Sequence, residues 1–216
     1  MQSKRNTTTD STFQGYPVLT DAEKKLAIDT DIMQKILKQF EYAEYKKGKV
    51  FFFRLDLHFP KDHQIPSAGN EHFRKFISAY AKNLSRKGLE PQYFAVREQR
   101  QSEHQHYHVG VLLDGQKTRS PYEHLKTADR LWANELGIET DNPAALGLVN
   151  HCDKDKKTGE RMINGMMIDA TKDNYEYVRD SCFRRASYLA KESQKKLTPK
   201  GNREYFASKL PKEYRQ

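Results

Sequence analysis

The sequence predicts an α+β fold: a central antiparallel sheet of about five strands, with helices packed on one face and the other face left open. Three observations predict it. Residues 50–59 (Val-Phe-Phe-Phe-Arg-Leu-Asp-Leu-His-Phe) alternate with the period of two that a strand imposes. A run at 92–98 is joined by a polar connector, 99–105, to a second run at 106–113, which is the pattern of a hairpin with a longish loop. The stretches 21–46, 71–87 and 121–136 repeat apolar residues at helical spacing.

Along the chain, residues 1–19 are rich in Thr, Ser and Gln without periodicity and read as a mobile arm, with Tyr16 to Leu19 as the part suited to docking. Thr20-Asp21-Ala22-Glu23 has the spacing of a capping box, so the first helix is expected from 21, with Gly48 ending it. On the strand at 50–59, Phe51, Phe53, Leu55, Leu57 and Phe59 share one face, and Arg54, Asp56 and His58 share the other. Phe73, Phe76, Ile77, Tyr80 and Leu84 form the inward stripe of the second helix, which Gly88 closes. Pro121 suits the first turn of the third. Short strands are expected near 145–150 and 164–169, and a helix from 173 to about 194 with Tyr177, Val178, Cys182, Phe183 and Leu189 inward. The basic tail 195–216, with Pro199, Gly201 and Pro211, is expected to be loosely packed. The domain proper is therefore expected over 20–194.

Composition narrows the partners. The chain has 216 residues, the size of one domain, and a formal net charge of +9. Such a charge suits a polyanion, and nucleic acid fits better than a membrane because no apolar run approaches the roughly 20 residues that span a bilayer. The two cysteines, Cys152 and Cys182, have no CxxC spacing. They argue against a disulfide scaffold and a zinc ribbon, and suit a reducing cytosol. The polar start lacks the apolar core of a signal peptide, so a cytoplasmic protein is expected.

Chemistry is concentrated in His106-Tyr107-His108. Two residues apart on a strand, both imidazoles point to one face. Glu98 lies at the end of the preceding strand, where the hairpin brings its carboxylate level with them. Two imidazoles and a carboxylate with open positions suit Mg²⁺ or Mn²⁺, with Zn²⁺ the less favoured alternative. His104 is a third histidine in alternate register and could replace Glu98. Asp56 and His58 could flank the site, although a buried salt link with Arg54 explains them equally well. In Arg184-Arg185-Ala186-Ser187-Tyr188-Leu189-Ala190-Lys191, Tyr188 and Lys191 fall at i and i+3 on one helical face. A phenol beside cations is a candidate nucleophile toward a phosphodiester, and an ordinary amphipathic helix is the plainer alternative.

Taken together, the segment 51–57, His106-Tyr107-His108 with Glu98 upstream, and Tyr188-Leu189-Ala190-Lys191 resemble, in order, the motifs of the HUH endonucleases. The similarity is greatest to the rolling-circle replication initiators of filamentous phages and prophages. The resemblance implies an RRM-like palm and a divalent metal on Glu98, His106 and His108. It implies that Tyr188 nicks single-stranded DNA at a replication origin hairpin, leaving a 5′-phosphotyrosine and a free 3′-hydroxyl, with Lys191 positioning the phosphate or activating Tyr188. Position 192 is Glu, so a single-tyrosine enzyme is implied. No phosphate loop is present, so unwinding falls to a host helicase and extension to a host polymerase. DNA contacts are expected from Arg97, Arg100, Arg184, Arg185 and the tail. The alternatives are a non-catalytic DNA-binding regulator of a mobile element and a related single-tyrosine transposase.

Overall fold

The computed structural model describes residues 5–60, 69–99, 104–155, 158–192, 198 and 201–214. Short strands β1 (Thr7–Thr8), β2 (Thr12–Phe13), β3 (Tyr16–Pro17) and β4 (Ile28–Asp29) precede α1 (Thr30–Lys47). Then come β5 (Lys49–Leu57), α2 (Glu71–Arg86), β6 (Gln92–Glu98), β7 (His106–Asp114), α3 (Tyr122–Glu135), β8 (Val149–Asn150), β9 (Met166–Asp169), α4 (Tyr175–Ser187) and β10 (Tyr205–Ala207). Six of these strands form one antiparallel sheet, in the order β10-β6-β7-β5-β8, with β9 also paired to β5. The fold is thus α+β, with a large antiparallel sheet and four α-helices among the described residues. Among the described residues, no helix is long and apolar enough to cross a membrane.

β8 and β9 share the outer edge of β5: β8 pairs with Asp56 and Leu57, and β9 with the stretch from Lys49 to Phe52. The gap between them is bridged by a side chain. Asn164 accepts from the Arg54 backbone N–H (3.0 Å) and donates to its carbonyl (2.7 Å), replacing the missing ladder bonds.

Helices cover both faces of the sheet, which corrects the expectation of one covered and one open face. Phe51, Phe53, Leu55, Val109, Val111 and Leu113 pack under α2 and α3 in one core. Val50, Phe52, Phe94, Val96, Leu112 and Ile168 pack under α1 and α4 in another. The reason lies in the second face itself, which changes character along each strand. On β5 it runs Val50, Phe52, Arg54, Asp56; on β6, Phe94, Val96, Glu98; on β7, read backwards, Leu112, Gly110, His108, His106. The apolar ends bind helices, and the polar ends are left to the site.

Gly110 belongs to the same pattern. A Cβ at this position would lie 2.3 Å from the Phe94 ring, so only glycine lets that ring cross the ladder into the second core.

Two helix boundaries differ from the sequence expectation. α1 starts at Thr30 rather than near 21. Asp21 uses its carboxylate on the Lys24 N–H (3.0 Å) to close a tight turn, Lys25 leaves the helical path at φ +52°, and Asp29 caps the helix by accepting from Ile32. α4 ends at Ser187, and Tyr188–Ala190 continue as a 3₁₀ turn. Tyr177, expected inward, is 75% exposed. The tail provides an edge strand: β10 pairs with β6 from Phe94 to Val96, and Phe206 is buried against Phe73. At the other end of the chain, Val18 is buried against the α1 and α4 core, and Arg5 bridges Asp29 (3.2 Å) and Glu204 (2.7 Å).

Candidate metal and tyrosine site

The hairpin register sets the first three residues. Glu98 is the direct cross-strand partner of His106, and Val96 of His108. The chemical consequence is a tight group: ligand atoms of Glu98, His106 and His108 all lie within 4.8 Å of one another. Glu98 and His108 are buried, and His106 is partly exposed, so one side of the group opens outward. Two imidazole nitrogens and one carboxylate leave further coordination positions open, so the donor set fits a metal ion.

Asp56 stands across the other ladder, paired with His108, and its Oδ1 lies 2.6 Å from His108 Nδ1. His108 Nε2 is 3.0 Å from Glu98 Oε2, and His106 Nε2 is 3.7 Å from the same oxygen. Burial works against the charged imidazole of His108. Asp56 and Glu98 at its two nitrogens outweigh that burial, and the net effect is a raised pKa. Asp56 therefore fixes the ring and leaves Nε2 on the Glu98 side, the arrangement in which a second carboxylate orients a metal-binding histidine.

The tyrosine arrives from the α4 side. In a 3₁₀ turn, residues i and i+3 eclipse, so Lys191 still comes over Tyr188 although the α-helix has ended, with Nζ 3.7 Å from the ring centroid. The ring meets His108 edge-on at 5.2 Å. Arg54 lies over it at 4.6 Å and is itself held by Asp56 (3.3 Å) and by the Arg185 carbonyl (3.3 Å). Burial first, then the carboxylates of Glu98 and Asp56, push the phenol up from its ordinary value, with Arg54 opposing. The neighbouring Cys152 is pushed up to about 12, chiefly by burial, so it stays a thiol.

The remaining sequence candidates divide. His58 stacks on His106 (5.6 Å, 18°) and so flanks the group. His104 packs near the Phe59 ring (6.0 Å) and is not one of the clustered ligands among the described residues. Arg97 is fully buried on the opposite face, paired with Tyr107 in register and donating to Asn70 and Gln99, so it is not brought to the site. Its position beside Glu98 decides this, since neighbours on a strand point to opposite faces. Arg184 is exposed and Arg185 partly buried, with Arg185 donating to the Cys152 carbonyl. Arg100 lies outside the described residues.

Sequence reasoning underrated Arg54, which it treated only as a salt-link partner. The signal was present in the shared face of Arg54, Asp56 and His58. Arg54 and Arg185 each keep Nε buried without a hydrogen-bond partner among the described residues.

The fold and these side chains define an α+β protein with a candidate divalent-metal group on the polar end of its sheet and a tyrosine held against it. The chain belongs to the YagK/YfjJ C-terminal domain family, whose model matches residues 8–206. No curated protein and no solved structure matches it.

Proposed function

We propose that this chain is a metal-dependent, single-tyrosine DNA nickase and strand transferase of the HUH type, initiating replication on single-stranded origin DNA in a bacterial cytoplasm. One observation carries the reading: Tyr188 meets His108 edge-on at 5.2 Å, although the two residues come from sequence-distant elements. The antiparallel sheet, with its ligands on the two central strands, is compatible with the RRM-like palm of that family.

In this reading Glu98, His106 and His108 hold Mg²⁺ or Mn²⁺, with Zn²⁺ less suited. Bound there, the cation would polarise the scissile phosphate and offset the negative charge of Glu98 and Asp56 beside the phenol. The chain's own residues do the rest. Tyr188 Oη attacks phosphorus, its O–P bond forms as the P–O3′ bond breaks, the phenolic proton is lost to solvent, and the 3′ oxygen leaves as a hydroxyl after taking up a proton. Arg54 and Lys191 hold the ring and offset the negative charge of the phosphate. One phosphoester replaces another, so the same site can rejoin ends. The 3′-hydroxyl would pass to a host polymerase, and unwinding to a host helicase.

The test is a covalent-adduct assay on denaturing gels, using labelled single-stranded oligonucleotides that carry candidate origin hairpins. An adduct is expected with Mn²⁺ and none with EDTA or with Tyr188→Phe. Adducts that persist in Tyr188→Phe would overturn the reading. Binding without any adduct would favour the non-catalytic regulator, and an adduct confined to element ends would favour the transposase.

A further inference from the structure

A second site lies away from the metal group, where α1 passes the edge strand β10. A cavity of about 510 Å³ opens there, within the size range of small-molecule pockets. Its lining combines aromatic, cationic and amide groups, with one carboxylate, Asp31, outnumbered by three lysines. Tyr205 and Tyr214 supply aromatic faces, and Lys35, Lys38 and Lys209 supply positive charge. Gln39 supplies a buried amide.

That amide is the informative group. Gln39 is only 3% exposed and sits on a helix whose other buried side chains are all apolar. Its Nε2 donates to the Ser208 carbonyl (3.1 Å), while its Oε1 is buried without a hydrogen-bond partner among the described residues. The Tyr205 hydroxyl is likewise buried without one. Both residues line the cavity, and an orphaned buried polar atom costs about 1–3 kcal/mol, so a ligand that supplied the missing partners would recover that cost. The remaining groups narrow what would satisfy them. Lys35 Nζ lies 5.5 Å from the Tyr205 ring centroid. Tyr214, which lines the cavity, is propped from outside it by Tyr42 (5.1 Å) and Tyr45 (5.9 Å).

We infer that this cavity binds a nucleotide whose base carries an exocyclic amino group. The base would stack on the tyrosines and donate to Gln39 Oε1, and its phosphate would face the lysines. An amide is suited to reading an amino-bearing base edge, stacking tolerates any base, and the lysines supply the charge a phosphate needs. Adenine, cytosine and guanine carry the required donor, and thymine does not. The inference rests on these residues alone and is independent of the nicking chemistry.

The ligand has two possible sources, a free mononucleotide or one unit of a single strand, and the experiment separates them. Full-length protein would be titrated calorimetrically with dAMP, dCMP and dTMP, and with short oligo(dA) and oligo(dT), in EDTA so that the metal group does not contribute. Binding of the amino-bearing ligands at least about tenfold tighter than the thymine ligands is expected, with about tenfold loss and lost base preference in Gln39→Leu. Binding of oligo(dA) but not dAMP assigns the site to a strand, and the reverse assigns it to a free nucleotide. Because Gln39 is buried, the exposed Lys35→Glu and Lys209→Glu variants serve as a second arm, with weaker binding and an unchanged melting temperature expected. Absence of binding by every ligand would overturn the inference, as would affinities that none of these substitutions alters.

Discussion

Asp56 Oδ1 lies 2.6 Å from His108 Nδ1, directly across the ladder between β5 and β7. A carboxylate so placed sets the tautomer and angle of the ring whose other nitrogen faces Glu98. Asp56→Asn should therefore weaken Mn²⁺ binding by about 10- to 100-fold without removing a ligand, whereas His108→Ala should abolish it. Isothermal titration at fixed pH measures both. Equal affinity in wild type and Asp56→Asn would remove Asp56 from the site.

Arg54 is buried against Asp56, with its guanidinium over the Tyr188 ring. Removing the cation takes away one of the charges that compensate this buried carboxylate, the other being His108 at its Oδ1. Arg54→Leu is expected to destabilise the fold by about 3 kcal/mol, toward the lower end for breaking a buried ion pair. Urea unfolding gives the value, and a loss below about 1 kcal/mol would mean the pair behaves as a surface contact.

At Gly110 the limit is steric. The Phe94 ring that a Cβ would strike is itself boxed in by Phe40 (5.8 Å) and Phe52 (6.3 Å, stacked). Gly110→Ala should cost about 2 kcal/mol through overpacking, and Phe94→Leu in the same chain should recover part of that loss. A double-mutant cycle reads the coupling, and strict additivity would argue against the clash.

His151 has its pKa raised, chiefly by its hydrogen bond to Asp129 (2.9 Å). A folded-state pKa above the unfolded one stabilises the protein fully below the unfolded imidazole value of about 6.5, and the contribution is lost as pH rises through the folded value. The melting temperature difference between wild type and Asp129→Asn should thus be larger near about pH 5.5 than near about pH 8.5. It should be small, because both partners are partly exposed. A difference that grows with pH would reverse the assignment.

Much of the central architecture is written locally. The alternation at 50–59, the spacing between Glu98 and His106, and the helices at 71–87 and 121–136 all depend on neighbours in sequence, and each can be read without the fold. Other features depend on distant partners. Thr20 to Glu23 has a valid capping pattern, but Asp29 wins because its strand pairs with Thr7 and Thr8. Arg97 reads as a surface cation until the hairpin turns it away from Glu98 and under α2. The tail's strand is invisible in composition because its stability comes from β6. At the site, the residues at 98, 106, 108, 188 and 191 follow from spacing and motif. The role of Arg54 needs the sheet to bring α4 over β5.

The pairing of β10 with β6 has a consequence for synthesis. β6 carries an unpaired outer edge from the moment it is made until residue 207 has emerged, more than a hundred residues later. Until then Phe94 to Val96 offers an open apolar template, the kind of edge on which nascent chains associate with one another. Chains cut before Tyr205 should therefore be lost to aggregation even where the metal and tyrosine groups are complete, and the yield of soluble protein should depend on a segment that touches neither.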